Sequence, residues 1–214
     1  AFTMAKATFG EAGEAAELMG VLYNNMADKT KNVRAEMEKL GDVVTVTQQL
    51  YQIKNMSQLA EGYKYATPAA LQYKSSLEEV SAVLGMLNTT GLAGGQAGTA
   101  YAATMRQLIK ASNELGFAIG RNEDGGVSLI KTIENIRQKY GEFGDMSDQT
   151  KMRFQRAFRD EGLRAIALLG GKTAELNEHL KAITNSSGAA AAAQETIEKK
   201  SPTEQYKILR QNID

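Results

Sequence analysis

Cysteine and tryptophan are absent from this chain, histidine occurs once, and only two prolines are spread over 214 residues. The missing cysteines exclude a disulfide scaffold and a thiolate metal site. A lone His179 cannot supply a metal cluster or a catalytic triad by itself, and it reads as a surface residue. No charge of one sign dominates. The 25 Lys and Arg residues face 25 Asp and Glu residues, so no global field draws the chain to nucleic acid or to an acidic partner. No apolar run approaches the roughly 20 residues that span a bilayer, so no membrane span is expected in this segment. No signal peptide is legible, and a chain opening at Ala1 reads as an excised fragment.

What is present favours helix. Scarce proline permits helices, while 20 glycines predict that they are short and often interrupted. The length suffices for a sizeable core, in one domain or in one domain with an appendage. Ala1 to Phe9 reads as a short helix, and Met19, Leu22 and Met26 fall in phase on a second. Over 31–54, Val33, Met37, Leu40, Val44, Thr47 and Tyr51 follow the four-three alternation of a helix seam. That pattern outweighs the β-branched run from Val43 to Thr47. Ser57 is placed to cap a helix running to Ala66, which Pro68 is expected to end or kink.

The centre of the chain is 76–112, two amphipathic stretches around a glycine-punctuated turn. Ser76 and Glu79 have the spacing of a capping box, and Leu77, Val80, Leu84 and Leu87 share the face that follows. Gly91 suits the left-handed position that closes a helix. Gly94, Gly95 and Gly98 crowd the start of the next helix, where small residues let the two backbones of this hairpin approach closely. Tyr101, Met105, Leu108 and Leu115 form its apolar stripe. Beyond it, Phe117-Ala118-Ile119 and Val127 flank a polar turn and suggest a tiny β-hairpin. Ile130, Ile133, Ile136 and Tyr140 line a helix, and Met152, Phe154 and Phe158 line another that Gly162 separates from an apolar LRAIALLGG. Leu176 to Ile183 and the alanine-rich AAAAAQETIEKK read as further helices. A last stripe comprises Tyr206, Leu209 and Ile213, with Ser201 as cap and Pro202 at the first helical position.

The ordered phrases of the middle region resemble the core of phage and prophage tail tape-measure proteins. GLAGGQAGTAYAATMRQL, preceded by YKYATPAALQYKSSLEEVSAVLGMLNTT, carries a similar helix, a small-residue turn and a second helix. Gly91, Gly94, Gly95, Gln96, Ala97, Gly98 and Thr99 match the family turn in order. The family also resembles this chain in the Asp/Asn/Gly turn before Val127 and in MSDQTKMRFQRAFRDEGLRAIALLGG, so the likeness covers about 57–197. One departure stands out: where the family has an arginine soon after the Gly-Thr pair, this chain has Ala102, with Arg106 one turn later. The resemblance implies a structural protein that sets tail length during assembly and leaves through the tube when DNA is delivered. It implies tail tube protein, tail assembly chaperones and tail-tip proteins as partners, together with self-association. It places the protein in the tail interior of the virion, and in the host cytoplasm during assembly.

The residues themselves assemble no catalytic site. The turn at 91–99 lacks the preceding strand and the Gly-Lys-Ser/Thr ending of a phosphate loop, so close packing is the better reading of it. The acid pairs Glu78-Glu79, Glu123-Asp124 and Asp160-Glu161 read as helix-terminal acids or solvated turns, and no calcium loop emerges. Arg153, Arg156, Arg159 and Arg164 interleave with Asp148, Asp160 and Glu161, which reads as a solvated, salt-bridged face. Nine methionines at stripe positions read as adaptable core filling. The expectation is an all-α, compact multi-helix domain with no enzyme activity and no cofactor, metal or nucleic acid. It divides into N-terminal helices over 1–56, a helical core over 57–184 and a helical extension over 185–214. The helices over 31–54 and after Gly188 are expected to project. The alternative is a helical adaptor or regulatory domain that binds a partner helix.

Overall fold

Short polar side chains start most of the helices, as their chemistry predicts. In a computed structural model, which describes residues 12–200, there are nine α-helices among the described residues and no strand. They are α1 (Ala12–Met26), α2 (Val33–Tyr51), α3 (Met56–Tyr73), α4 (Leu77–Thr89), α5 (Gly95–Leu115), α6 (Leu129–Tyr140), α7 (Asp148–Gly170), α8 (Thr173–Thr184) and α9 (Ala189–Lys200). Asn32, Asn55, Ser76, Ser128 and Ser147 each accept a hydrogen bond from the first turn of the helix they precede. The expected helix at 1–9 and the stripe of Tyr206, Leu209 and Ile213 lie outside the described residues.

Consecutive helices alternate between two packed layers up to α8. One layer runs α1–α3–α5–α7, and the other runs α9–α2–α4–α8–α6. A single apolar core lies between and within them, from Ala15 and Leu18 to Leu176 and Ile183. Its largest fully buried side chains include Tyr63, Tyr101, Phe154 and Phe158. Phe154 and Phe158 stack in tandem, with Tyr140 and Phe143 edge-on to Phe154. The Tyr63 hydroxyl bonds to Ser81 Oγ at 2.5 Å and fastens α3 to α4 across the layers.

Several expectations change here, each for a physical reason. Pro68 neither ends nor kinks its helix, and Asn55 rather than Ser57 is the cap of α3. Pro68 is exposed, and so is Lys64, whose carbonyl loses its helical donor, so water can take that donor's place. Gly41, Gly62 and Gly162 also sit inside helices rather than between them. The break in α7 comes instead at Arg159, with φ 54° and ψ −171°. Gly162 is already occupied by a close contact with α5, so the strained conformation falls on a non-glycine residue. The tiny hairpin contracts to a single antiparallel bridge between Arg121 and Val127, because Phe117 and Val127 are both drawn into the core.

The helix α2 does not project. Leu40, Val43, Val44 and Tyr51 are buried, and α2 lies between α9 and α4. Only Val33, at its start, is exposed among the anticipated stripe. The start of α9 is docked as well. Asp42, which is buried, accepts from the backbone amides of Gly188 at 2.8 Å and Ala190 at 2.9 Å. A carboxylate from α2 thus serves as the N-terminal anchor of α9, where the helix dipole favours it. Asp42→Ala should cost about 0.5–2 kcal/mol in thermal unfolding. In hydrogen exchange, the Ala190 amide should lose protection while Leu84 in α4 keeps it; equal protection at both in the variant would show that Asp42 does not hold α9.

Candidate functional site

The glycine-rich turn joins α4 to α5, and its residues do different jobs. Gly91 takes φ 93° at an open, exposed position after the last turn of α4. Gly94, with φ 58°, is the residue before α5, and Gly95 opens that helix. Glu61 of α3 lies against both: its carboxylate accepts from Gly95 N at 3.4 Å, at the positive end of α5. Gln96 is exposed and Thr99 half-buried. Gly98 is buried against α3, where a β-carbon would lie 2.2 Å from the Gly62 carbonyl oxygen and 2.8 Å from Tyr65 Cβ. The turn therefore serves backbone approach.

The partner in that approach differs from the expectation. The sequence suggests a hairpin in which α4 and α5 pack on each other, yet α5 packs chiefly on α3 and α7 and only lightly on α4. The layer alternation explains this, since the turn carries the chain from one layer to the other. On the far side, α5 meets α7 in a similar way. Thr104 Oγ1 donates to the Gly162 carbonyl at 3.3 Å, and a β-carbon on Gly162 would lie 2.9 Å from Gln107 Oε1. Ala102, at the position of the family arginine, is buried, while Arg106 is exposed.

Glu79 does not close a capping box. Ser76 does accept from Glu79 N at 3.2 Å, but the Glu79 side chain turns inward and is 1% exposed. Its carboxylate accepts from Ser128 Oγ at 3.0 Å, Ile130 N at 3.1 Å and Asn122 Nδ2 at 3.1 Å. It thereby caps α6 from a distance of 51 residues along the chain. Burial pushes the Glu79 carboxyl above the usual carboxylate range, and the Ile130, Asn122 and Ser128 donors only partly offset this. The corner before α4 supports the same loop. Val127 N donates to Tyr73 O at 2.9 Å, Ser75 Oγ donates to Val127 O at 3.1 Å, and a β-carbon at Gly126 would meet Lys74 O at 1.9 Å. Tyr101 is fully buried beside Ser75 and Glu79, and burial raises its phenol.

The other sequence candidates separate. His179 is half-buried rather than on the open surface: its ring meets Tyr51 edge-on at 4.8 Å. Tyr51 in turn lies flat on Gly85, where a β-carbon would come within 2.0 Å of the ring. No group of acids or His residues that could hold a metal occurs among the described residues. Among them, too, no helix is long and apolar enough to cross a membrane. Arg153, Arg156, Arg159 and Arg164 are exposed, and none of them forms an ion pair, so that face is solvated without being salt-bridged. Met152 is 58% exposed and does not fill the core. Sequence reasoning missed the roles of buried Glu79, Asp42 and Glu36: an acid near a helix start, as Glu79 and Glu36 are, normally serves its own helix, and one in mid-helix, as Asp42 is, normally faces solvent.

Comparison with known proteins supplies the context for this packing motif. The sequence profile described as phage-related minor tail protein matches residues 1–158. The chain belongs to this family of phage tail proteins. The matched region of this minor tail protein takes in the glycine turn, the Glu79 cluster and the first part of α7, up to Phe158. A curated relative, the "Tape measure protein" of Pneumococcus phage Dp-1, is 28% identical over 151 residues. Those residues are 66% of the tail chain described here and 13% of the relative, so the alignment spans only a small part of that longer protein. No solved structure matches.

Two measurements probe this packing. Gly98→Leu should destabilise by about 1–3 kcal/mol or more, because the added side chain meets the Gly62 carbonyl rather than a movable tip. A variant melting at the wild-type temperature would remove the close-approach reading. For Glu79 the native pKa is raised, so the native state holds its proton to higher pH than the unfolded chain does. The resulting stabilisation is complete below the unfolded value and is lost as pH rises through the native one. Chemical denaturation of wild type and Glu79→Gln from acid to neutral pH should show wild type losing stability relative to the variant as pH rises. Parallel curves would show that the carboxyl titrates normally.

Proposed function

We propose that this chain is a segment of a tail tape-measure protein, which sets tail length during assembly and is released through the tube at DNA delivery. The observation that carries the reading is the family match over residues 1–158, joined by the tape-measure relative. The glycine turn of Gly91, Gly94, Gly95, Gln96, Gly98 and Thr99 acts in this reading as the packing joint of the segment. The tail tube protein, tail assembly chaperones and tail-tip proteins are its partners, and the tail interior is its place in the virion. The reading gives the segment no catalytic step and no cofactor.

The packed core bears on the mechanism. A ruler counts length along its axis, and this chain as one continuous helix would extend about 320 Å. The two-layer fold is far shorter than that, so the segment either measures as a folded unit or opens inside the tube. In-frame removal of these residues from the full-length protein should shorten the tails seen by electron microscopy. The ceiling on the shortening is about 320 Å, reached when the segment is threaded as a helix. Tails of unchanged length would overturn the measuring role.

A further inference from the structure

Eight arginines fall within the described residues. Arg34 and Arg137 are ion-paired, Arg121 donates to the Gly125 carbonyl, and Arg153 donates to the Glu114 carbonyl. The remaining four, Arg106, Arg156, Arg159 and Arg164, have no partner, and all lie on α5 or α7. Two contacts show that these helices run antiparallel: Thr104 meets Gly162, and Glu114 meets Arg153. Between those contacts α5 presents exposed Arg106 and Ile109, and α7 presents exposed Arg156 and Arg159. The open side of α5 over this stretch is one stripe, with Arg106 and Ile109 one turn apart.

The same two helices carry two of the five large apolar side chains left exposed among the described residues. Ile109 is 49% exposed and Met152 58%. Each has an unpartnered arginine one turn away on its own helix, Arg106 beside Ile109 and Arg156 beside Met152. Free guanidinium groups beside exposed isoleucine and methionine match the composition of protein interfaces, which are rich in Arg and Met. A nucleic acid would use the cations but leave the apolar side chains uncovered. We propose that the shared outer stripe of α5 and α7 docks an acidic, amphipathic protein segment. Its carboxylates meet Arg106, Arg156 and Arg159, and its apolar side chains cover Ile109 and Met152. This surface goes beyond the length-setting reading and does not depend on it.

The test uses the whole 214-residue chain and a fluorescent helical peptide with leucines on one face, flanked by glutamates. An all-glutamate peptide and a DNA duplex serve as controls. Fluorescence anisotropy should give a Kd for the Leu–Glu peptide of about 1–100 µM, weakening with salt. Arg106→Glu with Arg156→Glu should weaken binding at least about tenfold, and so should Ile109→Ser with Met152→Ser. All four positions are exposed, and circular dichroism checks that the variants stay folded. The all-glutamate peptide should bind less tightly than the Leu–Glu peptide. Absence of binding, unchanged binding by either variant, or tighter binding of the DNA duplex would overturn the proposal.

Discussion

The approach of α5 to α3 at Gly98 and Gly62 sets the spacing of one whole layer. A single β-carbon at Gly98 would run into the Gly62 carbonyl, which leaves no room for the two helices to adjust past each other. On its other side α5 meets α7 through Thr104 and Gly162. With α5 fixed on both flanks, Tyr101, Met105 and Leu108 are held at full burial facing the second layer. Dispersion contacts are short-ranged, so this apolar packing depends on the backbone distance that the glycines permit.

The second layer is tied down by charge placed where backbone amides need an acceptor. Glu79 caps α6, Asp42 caps the start of α9, and Glu36 accepts from Asp28 N at 3.0 Å at the α1–α2 corner. Each of these acids is buried, and each bridges elements that do not touch through their own caps. A buried carboxylate costs less when donors surround it, and the free amides of a helix start are such donors. The arrangement fixes loops and termini without requiring more apolar surface, which suits a neutral chain with few aromatic residues.

For a tail protein, this construction has a mechanical consequence. The first-layer contacts pair helices two apart in the chain, and the second layer joins α9 to α2 and α4 to α8, so drawing the chain ends apart must separate packed helices. The anchor at Asp42 and the cap at Glu79 lie at the far end of chain segments that begin within other helices, and each resists that separation. The open stripe of α5 and α7 stays outside these contacts, which leaves it free to meet another protein while the core remains intact.

The sequence alone determined the helical class, the seams and the Ser76 cap. Apolar spacing at Leu40, Val44 and Tyr51, and the Ser76 cap, act within a turn or two of chain, so they are legible without a fold. The family likeness was legible in the ordered turn from Gly91 to Thr99. What each glycine was for could not be read locally. Gly98 reads as a close-approach position in sequence, but its partner is α3 rather than α4, and Gly62 and Gly162 look like helix interruptions until the neighbouring backbone makes them contact points. The same holds for Glu79: its spacing from Ser76 favours a local capping box. The amide of Ile130, 51 residues away, becomes available only once α4 and α6 share a layer. Local hydrogen bonds and periodicity were decided by near neighbours in the chain, whereas backbone distance and buried charge were decided by tertiary packing.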